Sequence, residues 1–125
     1  MKQCRILVID DSTTNVVLLE AILTEKGYQI ETAFNARDAF ARIEKQIPDL
    51  ILLDLLMPKV SGFDFLEQLR QNENTKNTPV IVISALSTDD EKIHRIENLD
   101  AVEFIRKPID IQYLVELVDK VLEHA

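Results

Sequence analysis

The stretch PDLILLDLLMPK, Pro48 to Lys59, decides how the rest of this chain is read. From Leu50 to Met57 every residue is apolar except Asp54. A short apolar run with no polar alternation, stopped behind by Pro48, has the character of an interior strand of a parallel sheet, covered on both faces. An ionised carboxylate inside such a run is costly unless a charge, a metal or several hydrogen bonds meet it. The stretch therefore predicts a doubly covered sheet and a site where Asp54 leaves it.

Outward from there, strand-like and helix-period segments alternate to both ends. RILVI (Arg5–Ile9) is a continuous apolar run closed by Asp10, Asp11 and Ser12. A helix follows with Val16, Leu19 and Leu23 on one stripe and Leu18 and Ile22 beside it. Ser12, Thr13 and Thr14 offer its N-cap, and Gly27 stands where a left-handed C-terminal cap is wanted. YQIETA (Tyr28–Ala33) alternates like a half-exposed strand. Asn35 then caps a helix carrying Ala36, Ala39, Phe40, Ile43 and Ile47, which Pro48 ends. Beyond the third strand come the helix GFDFLEQLR (Gly62–Arg70), the polar loop QNENTKNT (Gln71–Thr78) and the strand PVIVIS (Pro79–Ser84). A weakly apolar helix is expected around Asp89–Leu99, with only Ile93, Ile96 and Leu99 to bury. The strand AVEFI (Ala101–Ile105) and a last helix, about Asp110 to Glu123 with Leu114, Leu117, Val118 and Val121 inward, complete five βα units.

Strict alternation of this kind implies an α/β fold with helices on both faces of a parallel sheet. Strands one, three and four are apolar throughout, as interior strands are; two and five alternate, as edges do. With right-handed crossovers the simplest result is a doubly wound, five-stranded, flavodoxin-like (βα)5 sheet in the order 2-1-3-4-5. Its crevice opens where the order reverses, at the carboxyl ends of strands one and three.

The 125 residues are expected to form a single domain, 1–125, with 46% hydrophobic and 29% charged residues. A net charge of −8, from 22 acids against 14 Lys and Arg, argues against direct binding to nucleic acid. Cys4 is the only cysteine, so no internal disulfide forms and a reducing compartment is the default. No apolar stretch reaches the length of a membrane span or a signal peptide, and a cytoplasmic protein is expected.

Asp10 and Asp11 follow the first strand, Asp54 and Ser84 end the third and fourth, and Lys107 follows the fifth, so all five share one edge of the sheet. Three crowded carboxylates repel one another, and a hard divalent cation such as Mg²⁺ resolves the conflict with oxygen ligands and retained waters. Lys107 adds a second positive charge and Ser84 a hydroxyl. Together they suit a tetrahedral oxyanion, with Asp54 as the nucleophile that takes it as an acyl phosphate.

The motifs VIDDS (Val8–Ser12), LLDLLMP (Leu52–Pro58), VISA (Val82–Ala85) and FIRKP (Phe104–Pro108), each after its own strand, resemble the four signatures of the response-regulator receiver domain of two-component signalling. The resemblance covers essentially the whole chain. It implies that Asp54 is the phosphoacceptor, served by a sensor histidine kinase or a histidine phosphotransfer protein. Asp11 would bind Mg²⁺ (or Mn²⁺) directly, Asp10 through water, and the Leu56 backbone carbonyl would be the third protein ligand. Lys107 would pair with Asp54 and then with the phosphoryl oxygens. Ser84 would move toward the phosphoryl group and Phe104 would swing inward with it. That motion changes the surface of the fourth helix, fifth strand and fifth helix, where a downstream effector, a fused output domain or a second copy in a homodimer would dock. Lys107–Pro108 is a candidate cis peptide. Leu56 and Leu86 match the positions that tune dephosphorylation, and two leucines there are expected to shield the group from water. Asp100 departs from the pattern, standing where a glycine is usual. The family implies Mg²⁺-dependent self-phosphorylation and autodephosphorylation, not a conventional enzyme.

Plainer readings lose in combination. Asp54 alone would be a strand-end acid, and Asp10 or Asp11 an N-cap, but one cap leaves the second acid unexplained. Lys107 alone would be a solvated lysine, and Ser84 a turn former. Phe104 is often plain core on such a strand, Met57–Pro58 is turn structure, and His94 and His124 read as solvated. A phosphatase with an Asp nucleophile would carry a second acid two residues after the first, which neither Asp10 nor Asp11 has. A flavin carrier would want a glycine-bearing phosphate loop in place of DDSTTN (Asp10–Asn15). An interaction module that has lost phosphorylation would lack the acceptor, a metal acid or the lysine.

Overall fold

A computed structural model describes residues 4–55, 62–84, 94 and 98–123. The strands β1 (Arg5–Ile9), β2 (Gln29–Ala33), β3 (Leu50–Leu53), β4 (Val80–Ser84) and β5 (Glu103–Arg106) form one parallel sheet in the order β2-β1-β3-β4-β5. The helices α1 (Thr13–Glu25), α2 (Ala36–Lys45) and α3 (Gly62–Gln71) and a C-terminal helix (Ile111–Glu123) cover it. The helix expected around Asp89–Leu99 lies largely outside the described residues, as do Ile93, Ile96, Leu56, Met57, Pro58, Leu86 and His124. Described His94 is exposed.

Period-two alternation divides the sheet's side chains between two cores. Leu7, Ile9, Ile51, Leu53, Val80 and Val82 meet Ala39 and Ile43 of α2 and Phe65, Leu66 and Leu69 of α3. Ile6, Val8, Leu50, Leu52, Ile81, Ile83 and Ile105 meet Leu19 and Leu23 of α1 and Leu114, Val118 and Leu122 of the C-terminal helix. Phe40 and Phe65 close the first core with ring centroids 4.5 Å apart. β1, β3 and β4 are almost wholly buried, and β2 and β5 are the edges, as their patterns predict.

Local caps follow the sequence. Ser12 accepts from the Asn15 N–H and Asn35 from the Asp38 N–H, while Gly27, at φ 97°, turns the chain after α1. Several apolar assignments shift. Ile47 is 42% exposed because α2 ends at Lys45, before the helical stripe would carry it inward. Leu18 also faces outward, while in the C-terminal helix Leu122 joins the buried core and Leu117 and Val121 pack against it partly buried. β5 begins two residues later than expected, since Asp100 and the turn after it still steer the chain into the sheet.

Asp100 adopts the left-handed region, φ 58°, among the few places where a side chain is strained. Replacing it with glycine relieves that strain but adds freedom to the unfolded chain. Asp100→Gly is expected to stabilise the fold by about 0.5 kcal/mol, and Asp100→Val to destabilise it by about 2 kcal/mol. Urea midpoints of both variants check this; equal midpoints would mean that the turn carries no strain.

Candidate functional site

Parallel pairing delivers the carboxyl ends of β1 and β3 to the same level, with Ile9 beside Leu53. The residue after each is an aspartate, and backbone bonds extend the ladder through both: the Asp10 N–H donates to the Ala33 carbonyl at 3.1 Å and the Asp54 N–H to the Ile9 carbonyl at 2.9 Å. Asp10 and Asp54 are therefore fixed by the sheet, and both are buried. Asp11, one step further into the turn, is exposed. One carboxylate oxygen from each of the three lies within 4.8 Å of the others.

Lys107 answers two of these charges. Its Nζ donates to Asp54 Oδ2 at 3.1 Å and to Asp10 Oδ2 at 3.2 Å. Burial works against the Lys107 charge, but the bonds and field of Asp54 and Asp10 outweigh it and hold the ammonium above its ordinary range. It is charged throughout neutral pH. Three carboxylates against one ammonium still leave two negative charges in one place. The donors are all oxygens, and the exposed Asp11 leaves the cluster open to water, which fits a hard, partly hydrated divalent cation.

Asp10 also serves the turn. Its Oδ1 accepts from the Ser12 N–H at 2.9 Å and its Oδ2 from Asn15 Nδ2 at 3.5 Å, while Ser12 itself is the N-cap of α1. The acid thus orients toward Lys107 with one oxygen and toward the backbone with the other. Ser84 is fully buried at the end of β4, and its carbonyl accepts from the Lys107 N–H at 3.0 Å. Phe104 is half-buried against the core that α2 and α3 cover. The Lys107–Pro108 peptide is cis. The structure so gathers Asp10, Asp11, Asp54 and Lys107 at one point and sets Ser84 on the neighbouring strand end; Leu56 and Leu86 lie outside the described residues.

One polar centre had no signal in the sequence. Arg70, in the last turn of α3, donates from Nε to the Leu99 carbonyl at 2.7 Å and from Nη1 to the Thr78 carbonyl at 2.7 Å. Its partners are backbone atoms, which every residue possesses, so no pairing of residue types could reveal them. The contact between the Tyr113 hydroxyl and Glu103, across the C-terminal helix and β5, was equally unmarked.

Residues 6–119 match the response regulator receiver domain family. Response regulator PleD of Caulobacter vibrioides is 42% identical over 85% of this chain, which spans 23% of that protein. Protein PilH of Pseudomonas aeruginosa is 32% identical over 94% of this chain and 97% of its own length. Among solved structures, a response regulator receiver protein from Pseudomonas putida superposes with a TM-score of 0.90 at 31% identity, covering 96% of this chain and 98% of the other.

Proposed function

This chain belongs to the response-regulator receiver family of two-component signalling, and on that premise we propose that it accepts a phosphoryl group from a phosphohistidine onto Asp54. The observation that carries the reading is the Lys107 ammonium bridging Asp54 and Asp10 beside a third carboxylate. An ion pair alone would need one acid; the two surplus charges mark a cation site, and the cation and ammonium together mark an oxyanion site.

In the proposed transfer an Asp54 oxygen forms a bond to phosphorus as the phosphorus–nitrogen bond to the donor imidazole breaks. The bonding pair stays on the imidazole nitrogen, which takes a proton from water. Lys107 keeps its proton and follows the charge from the carboxylate to the phosphoryl oxygens. Ser84, one strand away, supplies a hydroxyl to the same group. Asp10, Asp11 and Asp54, with the Leu56 carbonyl, would hold Mg²⁺, which would supply charge neutralisation to the transferring phosphoryl oxygens. The new charge then biases Phe104 and the surface around β5 and the C-terminal helix. A sensor histidine kinase or phosphotransfer protein is the donor, and an effector, an output domain or a second copy reads the altered surface in the cytoplasm.

The test is the intact mass of the protein after incubation with acetyl phosphate. A gain of one phosphoryl group that requires Mg²⁺ and is removed by hydroxylamine, which cleaves acyl phosphates, is the expected result. No gain in a folded protein, or a gain stable to hydroxylamine, overturns the reading. The same assay followed in time reads the leucines: Leu56→Asn is expected to lose the group several-fold faster, because a polar side chain admits and orients attacking water.

A further inference from the structure

Arg70 lies at the edge of the sheet remote from the carboxylates, and the transfer described above makes no use of it. Among the described residues its guanidinium bonds only to backbone carbonyls. Nη1 donates to Thr78 at 2.7 Å, Lys76 at 3.2 Å and Thr75 at 3.3 Å, Nε to Leu99 at 2.7 Å, and Nη2 to Asp100 at 3.2 Å. Thr78 lies two residues ahead of β4, and Leu99 and Asp100 lie in the turn that leads through Ala101 and Val102, whose N–H already donates to the Val80 carbonyl, into β5. One planar cation therefore ties the starting ends of two neighbouring strands. Loop carbonyls could be satisfied by water, yet here a partly buried charge is spent on them, against the pull of its own desolvation.

The consequence lies at the other end of the same strand. β5 is an edge, bonded only to β4, and spans only Glu103–Arg106 before Lys107. A strand of that length is nearly inextensible, at about 3.3 Å per residue. An axial shift where it begins is therefore handed to Lys107, whose ammonium meets two carboxylates at 3.1 and 3.2 Å. Lateral pairing does not prevent such a shift as firmly as it would for a central strand, since β5 has a neighbour on one side only.

We propose that Arg70 is a positioning residue for the site: by clamping Thr78 to Leu99 and Asp100, it sets how far β5 reaches along β4 and so where the Lys107 ammonium falls between Asp10 and Asp54. The inference rests on Lys107 acting at the site as proposed above. It differs from a role in stability alone, in which Arg70 would hold the loops together without consequence for Lys107. Lysine would not replace it, because a single ammonium lacks the fork that reaches acceptors on two turns at once.

The test uses Arg70→Met, which keeps the apolar stem, Arg70→Lys, Lys107→Ala and the double variant Arg70→Met/Lys107→Ala. Each is measured where circular dichroism shows it folded; if Arg70→Met does not fold, Arg70→Lys takes its place throughout. Two readouts serve: Mg²⁺ affinity by calorimetry, and the Lys107 ε-methylene resonance in metal-free protein. Arg70→Met is expected to move the Lys107 resonance and to change the Mg²⁺ Kd about threefold, in the direction that Lys107→Ala changes it, the scale of coupling within one network. In the Lys107→Ala background the same substitution is expected to leave the Kd unchanged. If Arg70→Met costs stability yet leaves the resonance and Kd in place, or if its effect persists in the double variant, the inference is overturned. If Lys107→Ala alone leaves both Mg²⁺ binding and phosphorylation untouched, the functional reading fails and takes this one with it.

Discussion

Asp54→Asn is expected to take up no phosphoryl group from acetyl phosphate at any Mg²⁺ concentration while folding as well as the parent chain. The amide has the shape of the carboxylate, and its carbonyl oxygen still accepts from Lys107 where Asp54 Oδ2 now does at 3.1 Å. The bond from the residue's N–H to the Ile9 carbonyl is unaffected. What is lost is nucleophilicity, because the amide's electrons are delocalised and a phosphoryl group on it would have no stable form. Charge is lost too: three carboxylates become two, and one surplus negative charge remains in place of two. Mg²⁺ affinity is therefore expected to fall on the order of tenfold, since ligand charge count sets the affinity of such sites. The thermal stabilisation that Mg²⁺ gives the parent by binding the native state shrinks accordingly. Intact mass reports the first effect and calorimetry the second. A phosphoryl gain on Asp54→Asn equal to the parent's would move the acceptor elsewhere.

The reach of the sequence can be judged residue by residue. Asp10, Asp54 and Lys107 were legible because each directly follows a strand, and a parallel sheet brings all strand ends of one polarity to one edge. Nothing finer than strand order was needed to bring them together. The edges were legible for a related reason: a strand with a neighbour on one side only is less covered, and β2 and β5 are partly exposed where β1, β3 and β4 are buried almost throughout. Ile47 and Leu18 lie outside the core because helical periodicity gives a direction only while the helix lasts and only to within a residue of the stripe's margin. Ser12 was one of three cap candidates, and only the fold could select it. Arg70 could not be read at all, since its five acceptors are carbonyls whose convergence exists only once α3 and the two turns are packed.

Gly62→Ala is expected to destabilise the protein by about 3 kcal/mol and to slow phosphorylation as well, because the glycine is a matter of space at the back of the site. α3 begins at Gly62, whose N–H donates to the Leu55 carbonyl at 3.0 Å. A Cβ there would stand 2.5 Å from the Leu55 Cα and 2.8 Å from the Asp54 carbonyl oxygen. Both are backbone atoms, so no rotamer change relieves the clash; either α3 lifts from the sheet or the chain at Asp54 and Leu55 gives way. The first course opens the core around Phe63, Phe65 and Leu66, and the second moves Asp54 relative to Lys107. Gly27 supplies the control. Its φ of 97° favours glycine, but a Cβ there meets nothing within 4 Å. Gly27→Ala is therefore expected to cost only about 1 kcal/mol of backbone strain, with phosphorylation unchanged. Urea unfolding and acetyl phosphate kinetics on the two variants separate the cases. Equal losses of stability, with equal rates, would mean that the close approach of α3 to Asp54 is relaxed at no added cost, and that the helix does not hold Asp54 in place.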